Sequence, residues 1–152
     1  MTLSIQPLTD TAAINAILTT PAISCRIRHD AYTPGYIHHP ALSYHGAYVD
    51  AVLSGLFMAI QHSPWEVEVH AALLPRVIRQ ARDLGALFLA SLWDEQPDLQ
   101  RITAPVLSTL PSAANYCRHL GFEDEGVRRN AVRVDGVLAD VVYLGLLRPQ
   151  DE

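Results

Sequence analysis

Residues 65–70, Trp-Glu-Val-Glu-Val-His, alternate apolar and ionisable side chains with a period of two. In an extended strand that pattern turns Trp65, Val67 and Val69 to one face and Glu66, Glu68 and His70 to the other. Three ionisable groups on one face are able to hold and release protons. Pro75 follows closely, and Arg76 and Arg79 stand at the start of a long amphipathic run. Helix starts are already electropositive through their free N–H groups and macrodipole, so a cation there costs about 0.3–1 kcal/mol. Leu74 has no side-chain oxygen with which to cap the helix. A ligand phosphate at this point would satisfy the arginines and the helix start together. The plainer alternative is a pair of solvated arginines, with Arg79 spaced to pair with Asp83.

The elements that must position these residues read as follows. Residues 2–8 are short, alternating and ended by Pro7, which predicts a strand. Thr9 and Asp10 offer N-cap oxygens to a helix built on Ala12, Ala13, Ile14, Ala16, Ile17 and Leu18, closed by Thr19-Thr20-Pro21. Residues 22–48 hold no period and are punctuated by Pro34-Gly35 and His39-Pro40. Tyr32, Tyr36, Tyr44, His38, His39 and His45 gather there. They form either a pocket wall or a half-buried connection; adjacent His38 and His39 diverge and no carboxylate pattern completes a metal site. Residues 47–53 and 55–62 predict a hairpin turning at Ser54-Gly55, its second strand apolar on both faces and therefore central.

After Pro75, the apolar positions Val77, Ile78, Ala81, Leu84, Phe88, Leu89 and Leu92 predict one helix over residues 75–94. Residues 100–107 form the next strand, in which Pro105 marks an edge or a bulge. Pro111-Ser112 open a short helix stopped by Gly121, and residues 126–134 and 137–147 form a hairpin on Asp135-Gly136. The order is that of an α/β chain with a mostly antiparallel sheet.

Composition bounds the function. A chain of 152 residues, 49% hydrophobic and 18% charged, has the make-up of one ordinary globular domain, residues 1–152. The net charge of −5 argues against nucleic acid as a partner and fits a cationic small molecule or a basic side chain better. Two cysteines, Cys25 and Cys117, make no disulfide framework and have no metal-type spacing. Neither a bilayer-spanning run nor a secretory leader is evident, so the expected compartment is the cytoplasm.

The order of elements and several local strings resemble the GNAT N-acetyltransferase superfamily. Residues 65–74 are similar to that family's fourth strand, 75–94 to the following helix, and Tyr116-Cys117-Arg118-His119-Leu120-Gly121-Phe122 to its Gly-Phe helix end. Residues 130–136, with Asp140, resemble its last hairpin. Thr20-Pro21-Ala22-Ile23 and Glu68-Val69-His70 look more narrowly like small members carried by phages and prophages, which implies a phage-infected bacterial host.

The resemblance implies a single domain of about seven strands and four helices with splayed central strands. It implies acetyl-CoA as cosubstrate and a small-molecule or peptide amine as acceptor. Val69, Ala71 and Ala72 would hold the acyl carbonyl through backbone N–H groups, and Arg76, Arg79, Gln80 and Ala81 would form the pyrophosphate loop. His70 or Glu68 would act as base, His70 having the more suitable ordinary pKa of about 6.5. Tyr116, then Cys117, would act as acid; Cys117 stands where many members have tyrosine. Arg79 occupies the place of the loop's middle glycine, so charge replaces backbone donation or the CoA site is lost. The alternative is the same fold without the reaction, serving as a binding or structural protein. An edge strand near the terminal hairpin offers pairing with a second copy.

Overall fold

The computed structural model describes residues 1–150. β1 (Leu3–Pro7) leads to α1 (Thr11–Leu18), whose first turn is capped by the Asp10 carboxylate accepting from Ala13 N–H at 3.1 Å. Pro21 does not end the helical region as the sequence suggested. It takes the first position of α2 (Pro21–Ile27), where its fixed φ suits a helix and its missing N–H costs no bond.

β2 (Leu42–Val49) and β3 (Val52–Ser63) form the expected hairpin with a different turn. Asp50 and Ala51 make it, with φ of 49° and 66°, the mirror-image turn whose twist matches a hairpin. Gly55 instead lies within β3, where a Cβ would come within 2.7 Å of the Ala72 carbonyl oxygen and the Leu73 Cα. Glycine is required there for close strand approach, not for turning. β4 (Glu66–Leu73) runs into a 3-10 helix (Pro75–Gln80) and then α3 (Ala81–Glu95). The single helix expected over residues 75–94 is thus two, kinked at Val77, and Ile78 points outward at 75% exposure.

β5 (Arg101–Leu107), α4 (Pro111–His119), β6 (Glu123–Val134) and β7 (Val137–Leu147) follow. Gly121 ends α4 at φ 100°, and Asp135-Gly136 turn the last hairpin at φ of 50° and 78°.

The seven strands form one sheet in the order β1-β2-β3-β4-β5-β7-β6, antiparallel throughout except for β4 beside β5. On one face, Leu84, Phe88, Leu89 and Leu92 of α3 pack on Phe57, Val67, Ile102 and Leu144. Phe57 and Phe88 stack at 4.5 Å between ring centroids. On the other face, Ile14, Ile17, Leu18 and Ile23 of α1 and α2 cover Tyr44, Leu56 and Ala72. Each fully buried Leu, Ile or Phe contributes about 1.5–3 kcal/mol, so the two layers fix the sheet from both sides. No helix among the described residues is long and apolar enough to cross a membrane.

Candidate active site

β4 and β5 pair only at Glu66–Arg101, Val67–Ile102 and Glu68–Thr103. Beyond that point β4 continues to Leu73 on β3 alone and β5 to Leu107 on β7 alone. The central strands are therefore splayed, with the apex of the wedge at Glu68 and Thr103. Facing edges without a ladder present free backbone donors and acceptors, which suit an extended ligand. Pro105 is tolerated in the middle of the sheet for the same reason: on its β4 side there is no ladder to lose.

Hydrogen bonds settle which side chains share the acidic face. Thr103 Oγ1 donates to Glu66 Oε2 at 2.8 Å and accepts from Arg101 Nη1 at 2.7 Å, while Arg101 Nη2 reaches Glu125 Oε2 at 2.5 Å. Glu66 is thereby tied into a brace joining β4, β5 and β6. Glu68 is bound differently. Its Oε2 meets His70 Nε2 at 2.6 Å and its Oε1 meets His62 Nε2 at 2.9 Å. The hydrogen bond from His70 first, then that from His62, holds the Glu68 carboxyl at about 2, against desolvation acting the other way. A carboxylate that stays ionised only accepts, so both imidazoles donate through Nε2 and each neutral ring keeps its lone pair on Nδ1. The His70 atom free to accept a proton is thus Nδ1.

The sequence pattern gives no sign of a role for His62. The β3–β4 register shifts between Gln61 and Ser63, and this bulge lets His62 reach Glu68. Pairing also places His70 opposite Met58 and Met58 opposite Tyr44. The connection over residues 28–41 lies over the Tyr44 end of this row. Tyr36 lies over Tyr44 at 5.6 Å, and Tyr44 Oη accepts from Ile37 N–H at 3.0 Å. Arg28 makes two bonds to Asp135, and the Asp30 carboxylate accepts from Arg133 and from the N–H groups of Asp135 and Gly136. The loop is therefore latched to the tip of the β6–β7 hairpin. His38 and His39 are exposed, and His39 Nδ1 accepts from its neighbour Ala41 N–H at 3.0 Å.

The residues expected in the phosphate loop separate into two groups. Arg76 turns back to β3, donating to the Leu53 carbonyl at 2.8 Å and approaching Ser54 Oγ at 3.4 Å. Arg79 is exposed; among the described residues no ion pair joins it to Asp83. Gln80 precedes α3 without capping it through its side chain. The Ala81 carbonyl accepts from Tyr116 Oη at 2.6 Å, and Gly85 lacks the Cβ that would collide with that hydroxyl. This contact locks α4 onto α3. Burial pushes the Tyr116 hydroxyl well above the usual tyrosine range and Cys117 up to about 11, so both stay protonated. On β4, Val69 is half-buried, Ala71 exposed and Ala72 buried on the α1 side.

The chain matches no protein-family model and no curated protein sequence. Solved structures do match. A spermidine N-acetyltransferase from Vibrio cholerae, crystallised with CoA and spermine, superposes with a TM-score of 0.80 at 20% identity over 95% of each chain. The fold is of the GNAT acetyltransferase type. A point variant of the same Vibrio enzyme gives a TM-score of 0.78 at 19% identity, over 95% of this chain and 93% of that one. A probable acetyltransferase gives 0.63 at 19%, over 72% of this chain and 63% of that one. In this GNAT-type fold the splayed pair is β4–β5, with Glu68 and His70 beside the opening.

Proposed function

We propose that this protein is an N-acetyltransferase that uses acetyl-CoA to acetylate an amine. The observation that carries the proposal is the wedge between β4 and β5, opening directly beside the Glu68–His70 pair. The shared fold of the Vibrio enzyme, which carries CoA, supports the same use of the cleft.

Acetyl-CoA supplies an activated thioester. The free edge of β4, with the N–H groups of Val69 and Ala71, holds and polarises the acyl carbonyl; Ala72, one residue on, faces its β3 partner Leu56 as Leu74 faces Ser54, and so does not serve the acyl group as expected. His70 takes the acceptor's proton on Nδ1, while Glu68 holds the opposite Nε2–H and so fixes the ring's orientation. Of the two expected acids the Tyr116 hydroxyl is committed to the Ala81 carbonyl, which leaves Cys117 to protonate the departing thiolate. Arg79, Gln80 and Ala81 form the pyrophosphate end, with side-chain charge replacing the crowded backbone of a glycine loop. Arg76 braces the β3 end of this region instead of reaching outward.

The second reading, binding without transfer, is favoured by one observation: the 3-10 helix with Arg79 where the family's loop has glycine. Incubation with acetyl-CoA and a panel of primary amines, following thiol release and the mass of the product, decides between them. Turnover is expected, falling about 100-fold or more in His70→Gln. Saturable acetyl-CoA binding with no product from any amine supports the second reading.

A further inference from the structure

The face that carries Glu68 and His70 can be followed across the wedge to the far edge of the sheet. Thr103 bonds Glu66, so Thr103 and, two residues on, Pro105 share the face of Glu66, Glu68 and His70. Pro105 pairs with Tyr143, and Tyr143 with Gly126 of β6. Directly opposed residues point the same way, so the Tyr143 ring lies on this face too. Above it lies Arg128, its guanidinium carbon 5.8 Å from the ring centroid and its Nη1 donating to Tyr143 Oη at 3.2 Å.

Arg128 differs from most arginines on the acidic face. Arg101 is bound to Glu66 and Glu125, Arg133 to Asp30 and Arg28 to Asp135. Among the described residues no carboxylate pairs with Arg128; its one hydrogen-bond partner is the Tyr143 hydroxyl, which orients the guanidinium. It also lines an open recess of about 750 Å³ with Val127, Arg129, Asn130 and Asp140. Asp140 Oδ1 accepts there from Asn130 N–H at 2.9 Å.

We infer that the acceptor is an amine whose other end carries an anionic group, carboxylate or phosphate, held by Arg128 over Tyr143. The inference rests on the proposed reaction for the position of the amine at His70. Two strand spacings of about 4.8 Å separate β4 from β7 at the apex and more beyond it, where β4 and β5 splay, so amine and anion lie on the order of 10 Å apart or more. That is the reach of about three extended residues or an aminoalkyl phosphate of equal length. Arg128 is therefore a specificity residue: it selects the anionic end, and it discriminates against acceptors that are cationic throughout.

The test uses product mimics and the intact chain, so it does not depend on turnover. N-acetylated triglycine, its C-terminal amide, and an N-acetylated aminoalkyl phosphate of equal length are titrated into the wild type and into Arg128→Gln, with binding followed by calorimetry and NMR. A charge-assisted contact predicts that at least one anionic mimic binds about tenfold tighter than the amide in the wild type, and that the preference falls below about twofold in Arg128→Gln. Whichever of the carboxylate and the phosphate is preferred identifies the source of the charge. Tyr143→Phe, which keeps the ring and loses the anchor, gives an intermediate preference. Equal or undetectable binding of all three mimics, or a preference that survives Arg128→Gln, overturns the inference. Failure of acetyl-CoA to bind in a separate titration instead overturns the proposed reaction.

Discussion

Replacing Glu68 by glutamine keeps the shape of the side chain and removes its charge, so it isolates what the carboxylate contributes between His62 and His70. The Glu68 carboxyl falls from an ordinary 4.5 to about 2 in the fold. A depression of that size corresponds to about 3 kcal/mol of folding stability, and water reaching a partly open site reduces it to about 2 kcal/mol. Its side chain is 22% exposed, which keeps that discount moderate. Because the folded pKa is the lower one, the contribution is fully present above the unfolded value near 4.5 and is lost as pH falls through about 2. Asp30, Asp124 and Asp135 are also depressed by their partners, so the wild type alone loses stability in acid for several reasons. The difference between wild type and Glu68→Gln removes those shared terms. Urea unfolding followed by circular dichroism at intervals from pH 7 to pH 2 should show a gap of about 2 kcal/mol at pH 5 and above that closes towards pH 2. A gap independent of pH, or none at pH 7, refutes the assignment of an ionised Glu68 held by two imidazoles.

Gly85→Ala drives a Cβ into the Tyr116 hydroxyl and Leu120; thermal unfolding should show a loss of about 1–3 kcal/mol despite the gain in helix propensity. Combined with Tyr116→Phe, it should lose less than the sum of the two single changes. Arg76→Met removes the bond to the Leu53 carbonyl and should lower stability by about 1 kcal/mol in urea titrations, with acetyl-CoA affinity changed less than about threefold. Asp30→Ala unlatches the loop over residues 28–41 from the hairpin tip, and amide hydrogen exchange at residues 30 and 133–136 should quicken by about tenfold or more.

The chemistry-bearing strand was legible because alternation is a direct consequence of strand geometry: Glu66, Glu68 and His70 do share a face. The same reasoning found α4 with its Gly121 stop and the Asp135-Gly136 turn, where residue type and backbone demand agree. It failed where they disagree. Asp50 and Ala51 adopt positive φ without a glycine, so the nearby Ser54-Gly55 drew the hairpin turn away from its true place. Pro21 is equally good as a stop and as a first helical residue, and a helix of 7 residues has too few apolar positions to break the tie. The role of His62 depends on a β-bulge, which leaves no mark on the alternation around it. Arg76 and Arg79 look alike in sequence; only the fold separates the brace on β3 from the exposed cation.

In the proposed reaction the β4–β5 wedge and the start of α3 together receive acetyl-CoA. Isothermal titration of the wild type and of Arg79→Glu tests it most directly, since Arg79 is exposed and its replacement leaves the packing intact. One site of micromolar affinity is expected in the wild type, weakened by about tenfold or more when the charge at residue 79 is reversed. No binding by the wild type at millimolar acetyl-CoA, or an affinity unchanged in Arg79→Glu, contradicts it.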